Sequence, residues 1–185
     1  IYPLKLETLE LIQFKNLEKY QRNIDVSTLF RTEWHGRCKQ QYRTKIANFI
    51  KDNFNDYNIH AGLCGEPGKL GRTTIQNNYY DKMFHSKIVV TCNPDSWEGD
   101  YRTMEALSSG ALVMVDKMIT PTIYPLIDKK HIVFYDRNNL KELRDKILYY
   151  LNNEELRMTI AKEGNKYAIE HHKPSDRIDE ILSAL

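Results

Sequence analysis

The 185-residue sequence predicts an α/β fold, a doubly wound parallel sheet of about five strands with helices on both faces. Three observations predict it. Five short apolar-rich runs alternate with segments of helical periodicity, Lys87–Cys92 is the clearest buried strand among them, and no repeat or low-complexity stretch interrupts the series. Strands that are apolar on both faces belong to parallel sheets covered on both sides, and right-handed crossovers make such a sheet doubly wound.

Taken in order, Leu6, Leu9, Phe14, Leu17 and Tyr20 recur at loosely helical spacing, so residues 1–25 are expected to be an amino-terminal helix or linker, with one binding domain over 26–185. Val26–Arg31 is the first strand, and His35-Gly36-Arg37 a turn. From Lys39 to Phe54, Tyr42, Ile46, Phe49 and Ile50 mark an amphipathic helix. Tyr57–Leu63 is the second strand, followed by a loop rich in chain breakers from Gly65 to Arg72. A helix over Thr74–His85 leads into the third strand, Lys87–Cys92, which Asn93-Pro94 ends. Tyr101–Ser109 is a helix that Gly110 terminates in the C′ position. Ala111–Val115 and Ile132–Tyr135 are the fourth and fifth strands. Leu140–Leu151 and Leu156–Ile169 are helices, and Pro174 opens a last one.

Composition excludes several classes. A formal net charge of +2 implies no polyanion, so no nucleic-acid partner is expected. No apolar run approaches the roughly 20 residues of a membrane span. Cys38, Cys64 and Cys92 are odd in number and lack metal-ligand spacing, which fits buried thiols in a reducing compartment. Without a signal-peptide pattern, the expected location is cytoplasmic.

In doubly wound sheets ligands bind at the carboxyl ends of the strands, which directs the search to the loops after Arg31, Leu63, Cys92 and Val115. The densest chemistry follows the third strand, from Trp97 to Val113. Gly99 has no Cβ to keep a ligand away, and the helix beginning near Tyr101 offers free N–H groups and a positive dipole end suited to phosphate. Arg102 adds a charge that can bind bidentately, and Glu105, one turn on, can accept two sugar hydroxyls. Spacing alone leaves other roles open. Arg102 and Glu105 also have i, i+3 ion-pair spacing, and Asp100 is an N-cap candidate.

Ser86-Lys87-Ile88-Val89-Val90, Trp97-Glu98-Gly99-Asp100, Arg102, Glu105-Ala106-Leu107, Gly110-Ala111 and Asp116 resemble the carboxy-terminal, Rossmann-like domain of GT-B glycosyltransferases of the group-1-like branch, with its R-x-x-E-A-x-x-x-G segment. The resemblance spans about residues 26–170 and is sharp between Lys87 and Asp116. It implies transfer of a sugar from a nucleotide diphosphate sugar to a glycan or other hydroxyl acceptor, with no cofactor and no metal, and the chain has no Asp-x-Asp motif. It places Glu105 on the ribose hydroxyls, Glu98 on the donor sugar, and Arg102 with the Gly99–Tyr101 backbone at the phosphates or the helix entry. Many members separate the two glutamates by seven residues, whereas six stand between Glu98 and Glu105. Arg31, Arg37, Lys69 and Arg72 occupy loops suited to diphosphate contacts. In such enzymes the acceptor site, commonly with the general base, lies on an amino-terminal domain, here in the same or another chain. The alternatives are a non-catalytic nucleotide- or sugar-binding module of the same fold, or a flavodoxin-like interaction domain.

Other candidates read as structural. Gly65, Gly68 and Gly71 match neither a dinucleotide fingerprint nor a Walker loop. His171 and His172 are neighbours on a helix, about 100° apart, and do not chelate from one face. His35 reads as a turn residue, His60 and His131 as structural, and Met104, Met114 and Met118 as core.

Overall fold

The computed structural model describes residues 17, 20–30, 41–62, 78–95 and 98–183. Within them the elements run β1 (Ile24–Thr28), α1 (Gln41–Asn53), β2 (Ile59–Ala61), α2 (Asn78–Phe84), β3 (Ser86–Val90), α3 (Tyr101–Ser108), β4 (Leu112–Asp116), β5 (Val133–Tyr135), α4 (Leu140–Asn152), α5 (Glu154–His171) and α6 (Pro174–Ser183). All four strand pairings are parallel, in the order β2-β1-β3-β4-β5. This is the predicted doubly wound α/β sheet.

β3, β4 and β5 are mainly apolar on both sides, while β1 and β2 mix apolar residues with Asp25, Ser27, Thr28 and His60. Val26, Ile88, Val90, Leu112, Met114 and Val133 point to one face, where α1 contributes Ile46 and Ile50 and α4 contributes Leu143 and Ile147. Leu29, Val89, Val113 and Val115 point to the other, where α2 brings Met83 and α3 brings Met104 and Leu107. The methionines thus do not form one cluster: Met104 and Met118 lie on the α3 face and Met114 on the opposite one. No described helix is long and apolar enough to cross a membrane.

Strand ends differ from the sequence expectation. β1 starts two residues earlier and stops at Thr28, and β3 stops at Val90. Thr91 and Cys92 continue the buried run without belonging to the strand. Hydrophobicity reports burial, and burial outlasts the strand at the carboxyl edge of the sheet, where the Thr91 N–H still donates to the carbonyl of Met114 (2.8 Å). Residues 20–23 are not helical. Arg22 instead sends Nη1 to the carbonyl of Ser86 (2.7 Å) and Nη2 to that of Ser109 (2.8 Å), tying the start of β3 to the end of α3. Burial, then Arg157, lowers its pKa to about 10.

Two glycines set the position of α3. Gly110 has a φ of +71°, the left-handed geometry that stops a helix, and confirms the predicted C′ position. Gly164 lets α5 lie against the backbone before β5: a Cβ there would stand 2.1 Å from the carbonyl oxygen of His131 and 2.8 Å from Leu107 Cδ2. The substitution Gly164→Ala is therefore expected to destabilise the domain by about 1–3 kcal/mol, as overpacking does, measured by urea unfolding.

His131 is buried against Tyr167, ring centroids 3.9 Å apart, and its Nδ1 accepts the N–H of Ile127 (3.3 Å). Burial, then Lys130, lowers its pKa from the ordinary 6.5. Because the fold prefers the neutral ring, this contribution is complete above pH 6.5 and is lost as the pH falls through the lower folded value. Urea midpoints between about pH 8 and pH 5 should decline on the acid side, and less steeply in His131→Gln.

Candidate functional site

The strand order reverses direction between β1 and β3, so a crevice opens at their carboxyl ends. The segment entering α3 lies there. Gly99 has a φ of +86°, which brings its N–H onto the side-chain oxygen of Asn93 (3.0 Å). Asn93 is fixed in turn from β4: its N–H (2.8 Å) and Nδ2 (3.1 Å) both donate to Asp116 Oδ1.

Asp100 caps α3, its Oδ1 accepting the N–H of Arg102 at 3.2 Å. Its Oδ2 receives two guanidinium groups, from Arg43 of α1 and from Arg102. Arg43 also sends Nε to the carbonyl of Cys92 at 2.7 Å, so one side chain joins α1, the end of β3 and the start of α3. Burial pushes the Asp100 carboxyl up, but the charges of Arg102 and Arg43 and the accepted hydrogen bonds outweigh it, leaving the group below its usual range. Burial, then Arg102, lowers Arg43.

Glu105 lies on the same helix, 1% exposed. Its two oxygens accept the hydroxyls of Tyr79 (2.9 Å) and Tyr80 (3.2 Å) from α2. The carboxylate thus receives two hydroxyl donors side by side. Glu98, at the mouth of the crevice, accepts from the backbone and hydroxyl of Thr120 and from the backbone of Ile119. The hydrogen bond from the Thr120 N–H is the largest influence holding its pKa below the ordinary value.

Asp116 ends β4. Burial is the dominant effect and raises its pKa despite the donors from Asn93 and the charge of Arg137, whose Nη1 stands 3.6 Å away. Arg137 stacks on the ring of Tyr42, 4.1 Å from guanidinium carbon to centroid. Burial pushes the Cys92 thiol up to about 12, which makes it a packing residue and not a nucleophile. His60 faces Lys82 at 3.3 Å, and His171 stacks on Tyr124 at the end of α5.

Two cavities flank Glu98. One, of about 510 Å³, lies between Asp95, Asp116, Lys117 and Arg137. The other, of about 380 Å³, lies between Gly99, Met118, Pro121 and Phe134. A larger groove of about 590 Å³ runs along α4 beside Lys129 and Tyr149 and contains none of the predicted site residues.

Of the predicted residues Glu98 and Gly99 line these cavities, whereas Asp100 and Arg102 close on each other and on Arg43, and Glu105 turns to Tyr79 and Tyr80. Arg31, Arg37, Lys69 and Arg72, with His35, Cys38, Cys64 and the loop of Gly65, Gly68 and Gly71, lie outside the described residues. Sequence reasoning missed Arg43, Asn93, Tyr79, Tyr80 and Arg137. A signal existed for Arg43: it shares the apolar stripe of α1 with Ile46, Ala47 and Ile50, where a charge is out of place unless paired. For Asn93 and the tyrosines no sequence spacing points to the contact.

A family model described as glycosyl transferase-like matches residues 31–183. The chain belongs to this glycosyl transferase-like family. No curated protein matches it. Among solved structures, this glycosyltransferase-like chain is similar to a mutant of S. aureus TarM in complex with Fondaparinux, alpha-GlcNAc-glycerol and UDP, at 17% identity and TM-score 0.63, over 98% of this chain and 43% of that one. It is similar to an alpha-glucosyltransferase in complex with UDP, at 11% identity and TM-score 0.65, over 99% of this chain and 56% of that one. It is also similar to the C-terminal domain of a group 1 glycosyl transferase, LpcC, from Francisella tularensis, at 13% identity and TM-score 0.57, over 94% of this chain and 96% of that domain. At these identities the likeness establishes the fold, which is that of GT-B glycosyltransferase domains. The chain spans 43% of TarM and 56% of the alpha-glucosyltransferase, less than two thirds of either.

The buried ion pair of Arg43 and Asp100 generates a measurable expectation. Arg43→Met leaves the carboxylate with Arg102 as its remaining guanidinium and should destabilise the domain by about 3 kcal/mol. Combined with Asp100→Asn, the loss should fall short of the sum of the single losses in urea unfolding.

Proposed function

We propose that this chain is the donor-binding half of a glycosyltransferase that moves a hexosyl or pentosyl group from a nucleotide diphosphate sugar to a glycan or other hydroxyl acceptor without a metal. The observation that carries the reading is the α3 segment: a capped helix start at the switch point, followed by a carboxylate that already accepts two adjacent hydroxyls. The family match and the UDP bound in similar structures support it.

In this reading the ribose diol takes the places on Glu105 that the Tyr79 and Tyr80 hydroxyls hold in the ligand-free chain, and the two rings move aside for it. The start of α3 and the left-handed Gly99 admit the diphosphate backbone closely, and Arg102 sits in the first turn beside it. Charge grows on the diphosphate as the glycosidic bond breaks, and fixed donors stabilise it without reorganising. Arg31 and Arg37, which follow β1 in the sequence, and Lys69 and Arg72, which follow β2, are assigned to the same charge. The acceptor, and the base that takes its proton, are assigned to a second domain in the same or another chain. The cytoplasmic location expected from the cysteines belongs to this proposal.

Calorimetric titration with UDP, GDP, ADP and dTDP tests it. One nucleotide should bind saturably, with and without EDTA, and Glu105→Gln should weaken it by on the order of tenfold or more, the worth of a hydrogen bond to a charged group. Absence of binding by all four, or binding that Glu105→Gln leaves unchanged, refutes the donor site.

A further inference from the structure

Between β4 and β5 the chain runs as a loop over residues 117–127 with no helix or strand. Its ends are packed: Met118 is partly buried against the α3-face core and Leu126 is 7% exposed. Its middle is not, since Ile119 is 87% exposed and Ile123 71%. Burial of these side chains therefore does not hold the middle of the loop in place. Pro121 and Pro125 further remove two backbone donors.

Glu98 supplies a hold from outside the loop. Oε2 accepts the N–H of Ile119 (2.9 Å), the N–H of Thr120 (2.9 Å) and the hydroxyl of Thr120 (2.8 Å), while Oε1 shares the N–H of Ile119 at 3.1 Å. A carboxylate has about four acceptor positions, and this loop takes most of them. The loop so held lines the cavity of about 380 Å³ with Thr120, Pro121, Thr122 and Pro125, beside Gly99 and Glu98 itself, whose carboxylate oxygens are turned to the loop.

We propose that Glu98 is a positioning residue, a clamp that holds the loop by the Ile119 and Thr120 amides and so fixes Thr120 and the prolines after it as one wall of the cavity receiving the sugar moiety of the donor. The proposal rests on the donor-site reading above and gives Glu98 an indirect role in place of a sugar contact. The sugar meets the loop and Gly99, and Glu98 acts on it through the amides it fixes.

Hydrogen exchange on the ligand-free chain is the first test, because a sugar contact makes no difference there. Glu98→Ala should speed exchange of the Ile119 and Thr120 amides by on the order of tenfold or more, as expected when hydrogen bonds to a charged acceptor are lost. Titrations then compare wild type, Glu98→Ala, Thr120→Val and the double variant with UDP, GDP, ADP and dTDP and with their glucose conjugates. The clamp predicts that each single variant weakens the glucose conjugate relative to the bare nucleotide, and that the double variant is hardly worse than Glu98→Ala. Unchanged exchange in Glu98→Ala, or a Thr120→Val variant that binds like wild type while Glu98→Ala does not, overturns the clamp in favour of direct contact. If wild type binds none of the nucleotides, the donor-site reading fails and the donor role of the clamp falls with it. The exchange result remains independent of that failure.

Discussion

The buried carboxylate of Asp100 is the interaction on which the rest of the site depends. Taking a carboxylate out of water is costly unless charge and hydrogen bonds replace the solvent, and here Arg43, Arg102 and the Arg102 N–H do so. Because Asp100 is also the N-cap, its ion pairs decide where α3 begins. The register of the helix follows, and with it the placement of Glu105 under Tyr79 and Tyr80. Arg43 extends the same constraint to α1 and to the end of β3 through the carbonyl of Cys92.

The other end of α3 is held by close packing. Arg22 binds the carbonyl of Ser109, Gly110 turns the chain, and Gly164 allows α5 to press against Leu107 and the carbonyl of His131. A helix fixed at both ends presents its first turns with little freedom, which is the condition for a binding segment to act without rearranging. Asn93 and Asp116 complete the support by fixing the approach to Gly99 from β4.

In the proposed donor-binding role, the division between a segment held at both ends and the loops around it lets one sheet serve different ligands. The sheet and α3 provide a helix start and a carboxylate, and the loops after the strands provide what distinguishes one ligand from another. Glu98 stands at the boundary between the two, on the entry to the rigid segment but bonded to the loop after β4.

Much of the fold was legible in the sequence. The apolar runs of β3 to β5, the stripe of α1, the Gly110 stop and the Asp100 cap depend on neighbours within a few residues, and such local preferences survive into the fold. The Trp97–Gly110 segment was legible for the same reason, since its residues are consecutive. Partners brought together by tertiary structure were not legible. Arg43 meets Asp100 across 57 positions, Tyr79 meets Glu105 across 26, and Thr120 meets Glu98 across 22. Helical and strand periods fix which way a side chain faces, but which side chain it meets depends on strand order and crossover packing. The sequence by itself determined the layers, the sheet and the candidate segment. Only the tertiary structure decided that Arg102 closes on Asp100, that Glu105 lies under two tyrosines, and that Glu98 grips a loop.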